Sequence, residues 1–83
     1  MPQHKSAAKR VRQDQRKRQA NRLHRSRMRT MMKKLHSLEN KEEATTLLND
    51  LKAYLDRLAS RRIIHRNKAA NYKSALEQRV NTL

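Results

Sequence analysis

Residues 40–60 read NKEEATTLLNDLKAYLDRLAS. In that stretch Ala44, Leu47, Leu48, Leu51, Tyr54, Leu55 and Leu58 recur three and four apart, so at 100° per residue they form one apolar stripe. Asn40 stands where an N-cap is needed, and Glu43 occupies the capping-box position three residues later. Glu42 and Glu43 also complement the positive end of the helix dipole. The spacing predicts a helix over 41–60 with one face to bury.

Facing stripes lie on both sides of it. Upstream, nothing breaks a helix from about Ser6 to Leu38, and Met28, Met31, Met32, Leu35 and Leu38 share one face. Arg22, Arg29 and Lys33 lie roughly opposite, while the methionines read as adaptable core fillers. Continued toward the N-terminus, the apolar face meets Lys17 and Arg10 instead of apolar residues. The N-terminal half of this helix therefore has nothing with which to dock on a core, and is expected to project and to order fully only against a partner. Downstream, the pattern weakens at Ser60, Arg61 and Arg62, then resumes with Ala69, Tyr72, Leu76, Val80 and Leu83. Tyr54 and Tyr72 are expected at the core edge with hydroxyls in water. Three stripes with short connections predict an all-α fold, an antiparallel three-helix bundle with a long, projecting, basic N-terminal helix. The helices are expected at 6–38, 41–60 and 65–82 of a single domain, 1–83.

Composition agrees. The 83 residues include no glycine, one proline, no Phe and no Trp, which argues against β-hairpins and the sandwiches and barrels built from them. Without cysteine there are no disulfides, thiolate nucleophiles or Cys-based zinc sites. His4, His24, His36 and His65 show no i, i+4 pair, so no helical zinc motif exists. Ser6, Ser26, Ser37, Ser60 and Ser74 fall in no nucleophile motif, and a Gly-rich phosphate loop needs glycine. No catalytic residue, metal or cofactor is expected, and the chain reads as a binding protein, not an enzyme. No apolar run approaches a membrane span, no signal-peptide core follows the start, and the Arg-rich beginning is not Ser-rich and lacks the clear apolar face of a transit peptide.

Charge carries the functional reading. Lys and Arg number 22 against 7 Asp and Glu, giving +15, and the sequence pI is about 11.5. Thirteen of those cations precede His36: Lys5, Lys9, Arg10, Arg12, Arg16, Lys17, Arg18, Arg22, Arg25, Arg27, Arg29, Lys33 and Lys34. One carboxylate, Asp14, opposes them, so the N-terminal part holds most of the excess. A merely solvated helix face alternates signs and gains i, i+4 pairs; this one repels itself unless a polyanion meets it. Binding would then be driven by release of counterions from phosphates, which position a protein without reading sequence. Arginine suits the role because its fork grips phosphate bidentately and can stack on a base. Two other readings fit less well. A basic-region DNA-binding dimer needs heptads continuous with the basic helix, and the signal at Asn40 interrupts them. A membrane-surface helix needs bulky apolar residues, and residues 1–27 offer only Val11 and Leu23 beyond alanines and Met1. Neither a membrane partner nor an obligate homo-oligomer is expected.

Three stretches together resemble a known family: Lys5-Ser6-Ala7 with Lys9-Arg10; Asn21-Arg22 with Arg25-Ser26-Arg27-Met28-Arg29-Thr30; and Ile64-His65-Arg66-Asn67-Lys68-Ala69-Ala70 with Lys73-Ser74. In order and length the whole chain resembles the bacterial small-subunit ribosomal protein S-twenty family. The run from Ile64 is the most specific part. The resemblance implies a three-helix bundle whose first helix reaches deep into RNA, direct binding to 16S-type ribosomal RNA during assembly, and a structural role thereafter. It implies a cytoplasmic location in the small subunit, with other small-subunit proteins as further neighbours. It adds His65, Arg66, Asn67, Lys68 and Lys73 to the RNA-contacting set. From the residues alone, His65 and Asn67 read as plain caps of the third helix, whose exposed N–H groups would also suit a phosphate; with the resemblance both roles are expected. Two positions depart from the family: Arg62-Ile63 stands where members often have Gly before the Ile-His pair, and Asn71 where they often have Arg. The first bears on the geometry of the second turn, the second on one RNA contact. The expected mechanism is a compact wedge joined to a basic rod roughly 50 Å long at 1.5 Å per residue, neutralising RNA segments that would otherwise repel. Replacing Arg25 or Arg29 by Ala is expected to weaken binding without much change in fold.

Overall fold

The chain folds, in a computed structural model that describes the backbone of residues 2–83 and the side chains from Ala7 onward, as three helices. These are α1 (Pro2–Ser37), α2 (Lys41–Ser60) and α3 (Arg66–Asn81), and no strand occurs among the described residues. Helix α1 begins earlier than the expected residue 6, because Pro2 sits in the first turn, where a missing N–H costs nothing. It ends at Ser37, not 38: Leu38 lies in the connection, its N–H donating to Leu35 O at 3.2 Å. Helix α3 is one residue shorter at each end than expected, because His65 is its extended N-cap and Thr82 its C-cap.

Helix α2 is the hub. It packs against both other helices, whereas α1 and α3 meet only sparingly. Ala44, Leu48, Leu51, Leu55 and Leu58 of its stripe are buried, with Leu47 and Tyr54 packed at the edge. Helix α1 contributes Met28 and Leu35, with Met31 and Met32 half-buried, and α3 contributes Ala69, Leu76 and Val80. The α1–α2 corner is fixed by Asn40, whose side chain accepts from Glu42 N at 2.9 Å and Glu43 N at 3.2 Å. Only this half of the capping box forms; no return bond from Asn40 N–H to the Glu43 carboxylate is present.

Two further core residues lie in the α2–α3 connection. Ile63 and Ile64 are both buried. Arg62 adopts φ 60°, the left-handed conformation that glycine would take without penalty. Around it Arg62 N–H donates to Ala59 O at 3.0 Å and Ile63 N–H to Leu58 O at 2.9 Å. This is a complete Schellman cap, and the burial of Ile63 and Leu58 supplies its hydrophobic contact. A chain without glycine thus builds the turn on an arginine.

Helix α3 runs alongside the second half of α1 in the same direction. The Arg25 guanidinium donates to Ile63 O at 3.0 Å near the start of α3, and Arg79 donates to His36 O at 3.1 Å near its end. At the level of His24, α2 reaches α1: His24 Nδ1 lies 2.8 Å from the Tyr54 hydroxyl, which also lies 3.3 Å from His24 O. The Tyr54 hydroxyl, expected in water, is therefore hydrogen-bonded to α1. Before Asn21, among the residues whose side chains are described, α1 has no covering. Every residue from Ala7 to Ala20 is exposed, Val11 at 55% among them, and Leu23, three residues on, is exposed at 72%. The nineteen residues Pro2–Ala20 make an overhang of about 28 Å at 1.5 Å per residue. The molecule measures 62 × 20 × 13 Å, and its Cα radius of gyration of 17.2 Å well exceeds the roughly 12 Å of a compact chain this long.

Candidate nucleic-acid interface

The overhang is a bare basic rod. Lys9, Arg10, Arg12, Arg16, Lys17 and Arg18 are exposed around its circumference, with Asp14 the sole carboxylate between Ala7 and Ala20. Helix α1 has no acid in its first turn, so its positive dipole end meets further positive charge. Lys5 belongs to this expected set but lies outside the residues whose side chains are described.

Where α1 enters the bundle, its outer surface continues the rod. Arg22, Arg25, Arg27, Arg29, Lys33 and Lys34 are all exposed, but their surroundings differ. Arg25 spends one N–H on Ile63 O. Arg27 lies over the Tyr54 ring, 5.8 Å from its centroid, in a groove that it shares with Arg57 and Asp50. Arg29 joins Arg25, His65 and Lys68 around a cleft between α1 and the start of α3, with a volume of about 260 Å³. Its floor is Met28, Ile63 and Ile64, and Tyr72 closes one side. Lys68 Nζ sits 5.8 Å from the Tyr72 ring centroid.

The turn residues divide between capping and display. His65 Nδ1 accepts from Asn67 N at 3.1 Å, so His65 alone supplies the cap and the Asn67 side chain takes no part in it. With Nδ1 accepting, the proton of a neutral imidazole sits on Nε2. Arg66, Asn67 and Lys68 are exposed on the first turn of α3. Lys73 stands apart: it is half-buried and bound to Asp56 at 2.7 Å. The structure thus gathers Arg25, Arg29, His65 and Lys68 at one place, strings Lys9 to Arg18 along another, and commits Lys73 to a carboxylate.

Two basic groups outside the expected set belong to the same surface. Arg62 shares a shallow groove with His65 and Arg66, and Arg57 flanks Arg27. The run of cations at positions 57, 61 and 62 was the available signal. Among the described residues no group of His, Asp and Glu is arranged to hold a metal ion, and no helix is long and apolar enough to cross a membrane.

Comparison with known proteins agrees with this geometry. The profile of the family described as Ribosomal protein S20 matches residues 2–81. The small ribosomal subunit protein bS20 of Salinibacter ruber is 55% identical over 83 residues, covering 100% of this chain and 99% of that protein. Its namesake in Amoebophilus asiaticus is 46% identical over 83 residues, with 100% of both chains covered. The Flavobacterium psychrophilum protein of the same name is 42% identical over the same length, again with 100% of both covered.

Proposed function

The chain belongs to the ribosomal protein S20 family, a structural family of the small ribosomal subunit rather than a family of enzymes, and from that premise we propose that it binds small-subunit ribosomal RNA directly. Bound there, in the bacterial cytoplasm, it holds together RNA segments whose phosphates would otherwise keep them apart, and neighbouring small-subunit proteins complete its surroundings.

One observation carries this reading. A helix of 36 residues leaves its stretch from Ala7 to Ala20 outside any protein core and studs it with exposed cations around its circumference. Charge without counter-charge on a bare helix opposes its own folding; a surrounding polyanion removes that cost and releases condensed counterions. Because the cations face all ways, the rod suits insertion between RNA strands rather than lying along one surface. The bundle stops the insertion at a defined depth, and the groups around His65 and Lys68 meet the RNA there.

The DNA-binding dimer finds no support in the fold. Met28 and Leu35, the residues a zipper would present to a second copy, are buried against α2 and α3 of the same chain.

The deciding experiment measures binding of the full chain to a structured small-subunit ribosomal RNA fragment, with double-stranded DNA of equal phosphate number as competitor, across a salt series. Preference for the RNA that survives physiological salt is the expected result. Equal binding to both, collapsing as salt rises, would overturn the proposal and leave only charge.

A further inference from the structure

The cleft between α1 and the start of α3 gathers more charge than the bundle's one hydrogen bond there, Arg25 to Ile63 O, requires. Arg25 and Arg29 approach from α1, Lys68 and His65 from the head of α3, and no carboxylate lines the space between them. Elsewhere the bundle pairs cations that lie between helices: Lys52 meets Glu77, and Lys73 meets Asp56. Here the two helices bring like charges together over an apolar floor. Such an arrangement raises the free energy of the empty protein and lowers that of an anion placed among them.

The size of the space restricts the anion. At about 260 Å³ it lies below the roughly 300–1,000 Å³ of pockets that enclose drug-sized ligands, so one phosphate and part of its sugar fill it. The donors suit a tetrahedral oxyanion. Arg25 uses one N–H on Ile63 O and keeps the rest of its fork, Arg29 offers a second fork, and Lys68 a point charge held near the Tyr72 ring. The walls are also stiff. Ile63 and Ile64 are buried, and the Schellman cap behind Arg62 fixes the chain that carries them.

We propose that this cleft is a discrete site for a single phosphate group of the RNA backbone, gripped at once by α1 and α3 where the rod leaves the bundle. The proposal rests on the RNA-binding reading above and deepens it, from a diffuse basic surface to one stoichiometric anchor. The same chemistry could take up free inorganic phosphate, and the test separates the two sources.

The full chain is titrated with inorganic phosphate, against sodium chloride of equal ionic strength, and followed by amide and arginine side-chain NMR shifts. Saturable changes confined to Arg25, Arg29 and the residues from Ile64 to Lys68 are expected. Lys68→Ala, on an exposed side chain, should weaken that saturation about tenfold, the scale of one charge-assisted bond. Lys41→Ala removes equal charge outside the cleft and should change nothing. Unsaturating shifts spread along α1 in proportion to its charge, or a Lys68→Ala protein that still saturates like the parent, would overturn the site. Both proteins are then titrated with the RNA fragment, where Lys68→Ala should bind about tenfold more weakly with a salt slope shallower by about 1. If phosphate saturates the cleft but this variant keeps full RNA affinity, the occupant is free phosphate and the backbone assignment fails. If the parent binds RNA and no phosphate site is found, the anchor fails while the RNA-binding reading stands; if the parent does not bind RNA, that reading itself fails.

Discussion

Arg62 pays for the absence of glycine. An L-residue in the left-handed region loses about 1–2 kcal/mol, and the Schellman bonds it permits hold the α2–α3 turn nonetheless. Arg62→Gly removes that strain but frees the unfolded chain, so the net gain in stability should be about 0.5–1 kcal/mol, read as a rise of a few degrees in the unfolding midpoint. An unchanged or lowered midpoint would mean the arginine makes compensating contacts. Arg25 and Arg29 should separate in the same assay. Arg29→Ala ought to weaken RNA binding and leave the midpoint alone. Arg25→Ala ought to weaken binding and also cost about 1 kcal/mol, since the Ile63 carbonyl loses its donor. The sequence alone put both arginines in one class, because a bond across 38 positions leaves no local mark. Asn40 and His65 were legible for the opposite reason: a cap bonds to N–H groups two or three residues away, and its side-chain type announces it. Arg62 was legible only through the family resemblance, which marked the second turn as departing from glycine; turn rules applied to the residues alone look for glycine, and here none exists.

Helix α1 is two elements in one. From His24 onward it is a bundle helix, tied to Tyr54, Ile63 and Arg79 and buried through Met28 and Leu35. Before Asn21 it is exposed wherever its side chains are described. Deleting residues 1–20 should therefore leave the thermal unfolding of the bundle intact while RNA affinity drops and its salt dependence flattens, since seven of the thirteen cations ahead of His36 go with the deletion. A deletion that melts the bundle would show that the rod supports the core. The core makes the contrast: Leu51 and Leu76 are fully buried, and Leu51→Ala or Leu76→Ala should cost about 2–5 kcal/mol and largely unfold the free protein, measured by helical circular dichroism. Periodicity made these helices readable, because each buries one stripe against its neighbours. It failed at Ile63 and Ile64, where successive buried residues arise from a turn rather than from a helix face. Two adjacent β-branched residues just past a helix end were the only hint, and the rule that a Schellman cap seeks a hydrophobic contact is what interprets it.

At the scale of the whole molecule, salt should act on the free protein and on its complex with opposite signs. The net charge is +15 in a body 20 × 13 Å in cross-section. At about 0.01 M salt the screening length is roughly 30 Å, so every cation in a cross-section repels every other; at about 0.1 M it is roughly 10 Å and only near neighbours do. Attractive pairs are few. Lys52–Glu77 and Lys73–Asp56 are the ion pairs among the described residues, both partly exposed, and such pairs contribute little that salt could remove. Repulsion therefore dominates, and raising salt from about 0.01 to 0.15 M should stabilise the free chain by roughly 1 kcal/mol, some 4–8 °C in the midpoint. For the complex the balance reverses, because added salt erases the gain from counterion release. With about eight phosphates neutralised, the logarithm of affinity should fall against the logarithm of salt with a slope near −6 or −7. Measured side by side, a rising midpoint and a falling affinity would establish that the charge serves the partner at the expense of the fold. A midpoint that fell with salt would show the cations to be paired within the protein, and a shallow slope would show that few of them reach phosphate.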